Sequence, residues 1–224
     1  MRVRVVLLFT FSLLLTGCGS ARQVVEPAYR EKLSSRTTLG VLPLGVDLMG
    51  DSTGAMPTPL NRRGRNLFYR LFGLELSDLA SVTVLEAGSD YNPDGAAFAY
   101  RRLALSKSDS VEVPVPVAGP VPVDGRNPAF LLLIDDLSIV FGTNEGREAL
   151  GTLVSEQLVL TARCEYVLWD NQAQRLVGYG RLRETAPTEP GANVHGPIAL
   201  LFRRLGLAIM RKSPFAIIGE DRDV

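Results

Sequence analysis

From Val154 to Asp170 the chain reads VSEQLVLTARCEYVLWD, and apolar and polar residues alternate along it. Leu158, Leu160, Ala162, Cys164, Tyr166 and Leu168 fall on one side of an extended segment, with Thr161, Arg163 and Glu165 on the other. A period of two does not suit a helix, so this stretch commits the carboxyl half to an antiparallel sheet with one buried face. Asp170 to Gln174 supplies a turn, and Arg175 to Thr185 returns as the next strand, with Arg181 and Arg183 placed to pair across to Glu165. Ala129 to Phe141 (AFLLLIDDLSIVF) is a further apolar strand, in which Asp135-Asp136 marks the place for a bulge or bend. A Gly-rich loop, Gly142 to Gly151, separates it from the alternating strand. Pro197 to Lys212 places Ile198, Leu201, Phe202, Leu205 and Ile209 on one side of a helix that ends in Arg211 and Lys212, where cations suit the dipole.

The amino half is less regular. Thr38 to Val46 (TLGVLPLGV) reads as a buried first strand, and Gly50 to Pro57 as a loop. Thr58-Pro59 caps a helix over about residues 59–76, and Ser81 to Glu86 alternates as a strand. Asn92-Pro93-Asp94 opens a second helix reaching about Leu105. Val111 to Asp124 (VEVPVPVAGPVPVD) lacks four backbone donors at its prolines, so it cannot be a central strand. A polyproline II connector packed along the domain is the natural state of such a stretch, and a surface touching lipid or a partner is the alternative. The expected fold is α/β (α+β), a single three-layer-like domain over residues 37–215. It has a mixed sheet of about five strands with flanking helices, in the order β-α-β-α-β-β-β-α, with 111–124 as an insertion and 216–224 as a tail.

Residues 1–18 read MRVRVVLLFTFSLLLTGC, a basic start, an apolar run of about a dozen residues and a small-residue cleavage region. That is the layout of a signal peptide over residues 1–17, and the run is short for a spanning helix. Leu15-Thr16-Gly17-Cys18 resembles the lipobox of bacterial lipoproteins. That resemblance implies cleavage before Cys18 and lipid on its thiol, a membrane partner, and, with no Asp after Cys18, the outer membrane facing the periplasm. Residues 18–36 then read as the lipidated Cys and a flexible tether. A chain cut after Gly17 keeps 22 basic and 24 acidic side chains, a net charge of −2, which gives no reason to expect nucleic acid. Cys164 is left without a second thiol and falls on the apolar side of its strand, where an inert core residue is expected.

Three stretches, Thr38 to Leu44, Phe130 to Ser138 and Leu160 to Val177, together with the lipobox, resemble a superfamily of bacterial envelope lipoproteins. It includes the curli secretion lipoproteins, the penicillin-binding-protein activator lipoproteins and the amino-terminal domain of TolB. The resemblance implies a non-enzymatic accessory, scaffold or assembly factor that binds envelope protein, some members forming rings, and is compatible with a homo-oligomer. It assigns no residue.

The chemical inventory is small. Gly50-Asp51-Ser52-Thr53-Gly54 fits a nucleophile elbow of a GDS-type esterase, which would need His195 as base and Asp135, Asp136 or Asp170 to orient it. Pro57 and Pro59 prevent the helix that an elbow requires directly after its serine. His195 is the only imidazole, and a place at the start of the last helix suits it better than a metal site, so no cofactor or metal is expected. The arginines Arg62, Arg63, Arg65 and Arg70 oppose the dipole at the start of the 59–76 helix, a placement that fits either an anionic partner such as peptidoglycan or a solvated face. A groove for a small ligand beside the Pro-rich segment is the remaining alternative.

Overall fold

The computed structural model describes residues 20–29, 37–51, 71–86, 98–146, 155–189 and 195–215. These residues form an α+β fold around a mixed sheet. The strands are β1 (Ser20–Val25), β2 (Thr38–Pro43), β3 (Val46–Asp51), β4 (Thr83–Glu86), β5 (Phe98–Ala104), β6 (Ser110–Pro116), β7 (Phe130–Gly146), β8 (Ser155–Asp170) and β9 (Arg175–Pro187). Helix α1 covers 71–79 and α2 His195–Arg211. The order across the main sheet is β1-β9-β8-β7-β2-β4, with β3 continuing beside β7 where β2 ends. β7, β8, β9 and β1 are mutually antiparallel. β2 lies parallel to both β4 and β7. β5 and β6 form a separate antiparallel hairpin.

Each face of the sheet has its own apolar cluster. On one face Leu132, Ile134 and Leu160 pack with Phe72 and Leu76 of α1 and with Phe202 of α2. The Phe72 and Phe202 rings meet edge to face at 6.0 Å. On the other face Leu131, Leu133, Val167 and Trp169 are covered by Val111, Val113 and Val115 of β6. Burying large aliphatic side chains on both faces gives about 1.5–3 kcal/mol each, so both layers contribute to stability. The molecule is therefore helices, sheet and hairpin in three layers.

Several expectations are corrected. Residues 18–36 read as a tether, but Ser20–Val25 pairs residue for residue with β9 at the sheet edge. The segment expected as a helix from Asn92 to Leu105 is strand β5 over Phe98–Ala104, and 92–97 lie outside the described residues. The Pro-rich stretch begins as strand β6. Pro114 and Pro116 stand two apart, so their missing donors fall on one edge and leave the other free to pair with β5. The first strand does not reach Val46 unbroken. It ends at Pro43 and restarts as β3, which carries Gly50 and Asp51 that read as loop. Likewise β7 extends through Gly146, into the expected loop, and α1 runs on to residue 79. The mixed sheet has seven strands rather than about five, and the described part of the expected second helix is strand.

Candidate functional site

The two acids of the apolar strand create the most unusual feature of the sheet. The β7–β8 register shifts between Asp135 and Ser138, and Asp136 adopts a left-handed conformation at φ 46°. Asp tolerates that region better than most residues. Before this bulge Leu131 and Leu133 face the hairpin and Leu132 and Ile134 the helices; after it Leu137, Ile139 and Phe141 join the helix-side core. One extra residue thus reverses the facing of the rest of the strand. The neighbouring strand breaks at the same level. Leu44 N–H donates to the Ile134 carbonyl at 2.8 Å, and Leu137 N–H to the Gly45 carbonyl at 2.9 Å. Glycine suits that position, because a Cβ at Gly45 would stand 2.3 Å from Asp135 Oδ1 and 3.1 Å from the Asp136 amide nitrogen, and the carboxylate would have to move.

The bulge also sets a row of charge across four strands. Arg22, Arg181, Glu165 and Asp135 are successive cross-strand partners of β1, β9, β8 and β7. Arg181 donates to Glu165 Oε1 from Nε at 2.9 Å and from Nη2 at 2.8 Å. Its Nη1 reaches Asp109 Oδ1 at 3.3 Å, and Nη2 the Ser110 carbonyl at 3.2 Å. Arg22 Nη1 donates to Asp109 Oδ2 at 2.6 Å. Asp109, in the β5–β6 turn, therefore ties the hairpin to the sheet edge, and these arginines hold its carboxyl below the usual range. Burial raises the Glu165 carboxyl, against the opposing pull of Arg181. Burial also raises the Tyr100 phenol, and the nearby Asp135 charge adds to this.

One row further along the strands the compensation ends. Ser20, Arg183, Arg163 and Ser138 are successive partners there, and Asp47 of β3 is the register partner of Ser138. Arg163 and Arg183 are directly opposed and exposed. Among the described residues neither has an ion-pair partner. Like charges in direct cross-strand opposition oppose folding by a few tenths of a kcal/mol or more. With Ser138, Val140, Thr161 and Thr185, all half-buried, they lie on the hairpin face beyond the hairpin itself.

A second polar knot fixes the chain after β1. Tyr29 is buried, its hydroxyl donates to Asp170 Oδ2 at 2.6 Å, and Arg175 both donates to that hydroxyl and lies 4.9 Å over the ring. Asp170 Oδ1 accepts from the Gln172 and Ala173 amides at 3.1 and 2.7 Å.

Of the residues singled out in the sequence, Cys18, Ser52, Arg62, Arg63, Arg65 and Arg70 lie outside the described residues. His195 opens α2, its side chain outside what is described. Asp170 is engaged by Tyr29 and the turn, while Asp135 and Asp136 form the bulge. The expected Arg181–Glu165 pair is present, but Arg183 faces Arg163 instead. Asp109 and Arg22 were not anticipated; the polar run Ser106-Lys107-Ser108-Asp109 between two strands was the available hairpin signal. Among the described residues no group of three or more His, Cys, Asp or Glu side chains could hold a metal ion.

Cys164 is 2% exposed on the helix side, and burial pushes its thiol up to about 12. At pH 8 it remains protonated, so peptide mass analysis should find residue 164 unmodified by a maleimide in the native protein and modified after denaturation.

No protein-family model matches the chain, and no curated protein matches it. Among solved structures the chain is similar to the PelC dodecamer from Paraburkholderia phytofirmans, at 13% identity and TM-score 0.37 over 85% of this chain and 95% of that one. It is also similar to a neuraminyllactose-binding hemagglutinin homolog from Helicobacter pylori, at 11% identity and TM-score 0.41 over 82% and 86% of the two chains. The hypothetical protein CT253 from Chlamydia trachomatis matches at 12% identity and TM-score 0.38 over 79% and 95%.

Proposed function

We propose that this chain is a lipid-anchored lipoprotein of the bacterial envelope that acts without catalysis, as an accessory, scaffold or assembly factor binding protein in the periplasm. The observation that carries the reading is the position of β1. Ser20 stands two residues after Cys18 of the Leu15-Thr16-Gly17-Cys18 motif, and from Ser20 to Val25 the backbone is laddered to β9. Two extended residues span about 7 Å. Lipid on Cys18 would thus hold the domain close against the outer membrane, where a long tether would let it roam. The polar groups best suited to chemistry serve the fold: Asp170 fixes Tyr29 and a turn, Glu165 holds Arg181, and the Cys164 thiol is buried.

Metabolic labelling tests this. Palmitate should label the wild-type chain and be lost in Cys18→Ala, while a fluorophosphonate probe should leave Ser52 unmodified. Palmitate retained in Cys18→Ala would refute the anchor, and probe labelling lost in Ser52→Ala would replace the binding role with a serine hydrolase.

A further inference from the structure

We infer that the open strip of the sheet lies on an anionic lipid surface, with Arg163 and Arg183 against headgroup phosphates. The inference rests on the reading that Cys18 carries lipid. Two independent features meet in one place. Ser20 is the cross-strand partner of Arg183, and Arg183 of Arg163, so the two arginines without an ion-pair partner among the described residues share a row with the first residue of β1, two positions from Cys18. The row before it, Arg22, Arg181, Glu165 and Asp135, is neutralised internally and through Asp109. Positive charge therefore concentrates within about 7 Å of chain from the anchor.

The length of the β7–β8 pair decides the orientation. From Arg163 back to Ser155 β8 continues for eight residues past the row, about 26 Å at the ordinary rise of a strand. With the strands upright on the membrane and Cys18, about 7 Å along the same direction, at its surface, about 19 Å of that length would be driven into a hydrocarbon core about 30 Å thick. Laying the sheet down on its hairpin face avoids this. Beyond the hairpin no described element covers that face, which presents exposed Arg163 and Arg183 with half-buried Thr161 and Thr185, whereas the opposite face is covered by α2, whose Arg204 bonds the Thr185 carbonyl. Arginine suits the role because its planar guanidinium binds phosphate with two parallel donors. Each basic residue near an anionic surface strengthens attachment about fivefold, so the pair supplies about 25-fold, weakened by salt.

The test uses the full-length lipidated protein in vesicles of 70% phosphatidylethanolamine and 30% phosphatidylglycerol carrying headgroup spin labels. A fluorophore on Thr161→Cys should be strongly quenched, and one on Leu74→Cys, on the exposed side of α1, should not. Arg163→Glu with Arg183→Glu should abolish the difference, and phosphatidylcholine vesicles should reduce it. Equal quenching at the two positions, or quenching unmoved by charge reversal, overturns the inference. So does protection of the strip by crosslinks to a second copy or to an acidic protein without quenching. Palmitate labelling reports the anchor separately. For a chain that proves unlipidated, co-sedimentation with the same vesicles at low salt should fall about 25-fold on the double reversal, and no binding, or binding unchanged by it, refutes the contact itself.

Discussion

Asn171→Ala is expected to destabilise the domain by about 3–6 kcal/mol and to release the segment that follows the hairpin. Asn171 is fully buried at the β8–β9 turn. Its Oδ1 accepts from the Val121 amide at 2.8 Å, and its Nδ2 donates to the carbonyls of Val121 and Pro128, both at 3.0 Å. Alanine would leave three buried backbone groups without partners, at about 1–3 kcal/mol each. The consequence is local as well as global. Residues 121–128 carry Val121 and Val123 onto the hairpin-side cluster and return the chain to β7, so their release would expose Trp169 and Leu131. Asn171→Asp should fare no better, because a carboxylate accepts from Val121 but cannot donate to either carbonyl and carries charge into a fully buried position. Denaturant unfolding measures the loss, and hydrogen exchange at Val121 and Val123 reads the local release. A loss below about 1 kcal/mol would mean that the segment is held by its valines and not by this amide.

What the sequence reveals divides along a physical line. The β8 alternation was legible because its period of two is local and each residue reports its own side. The bulge at Asp135-Asp136 was legible for the same reason, since two adjacent acids interrupt an apolar run, although only Asp136 is exposed and Asp135 stays buried. β1 was not legible: SARQVV has no sustained alternation, and the backbone ladder to β9 that orders it carries no side-chain pattern. β5 was misread because Asn92-Pro93-Asp94 is a good helix start, and whether Phe98 to Ala104 becomes strand depends on β6 lying beside it. In β6 the prolines argued against a strand, yet they exclude only one edge. Arg163 and Arg183 were both visible as polar-side residues. Their lack of compensation was not, because it depends on register and on Asp109, from a distant turn, bonding Arg22 and Arg181 instead.

Gly180→Val should detach β1 and turn a short attachment into a long one. A Cβ at Gly180 would stand 2.6 Å from the Arg22 carbonyl oxygen and 2.8 Å from Tyr166 Cε1. Neither obstacle yields easily: the carbonyl belongs to the paired backbone, and Tyr166 is 2% exposed in the helix-side core. Gly178 meets the same condition against the Val24 carbonyl, at 2.8 Å, so β9 uses glycine at alternate positions to let β1 approach. A larger residue must either push β1 away or displace Tyr166. Overpacking of this kind costs about 1–3 kcal/mol, to which loss of the ladder adds, giving a fall in Tm of about 5–10 °C for a domain of this size. Trypsin cleavage after Arg22, resisted by the wild-type strand, should become rapid, while α2 and the β7–β8 pair keep their hydrogen-exchange protection. The detached residues 20–25 would lengthen the reach from Cys18 by about 20 Å, and headgroup quenching of a probe on Thr161→Cys should fall even with Arg163 and Arg183 intact. Normal stability and trypsin resistance in Gly180→Val would show that β1 is not held as described. Detachment without loss of quenching would show that the arginines alone hold the sheet on the membrane, and that the two-residue link to Cys18 only limits how far the domain can leave it.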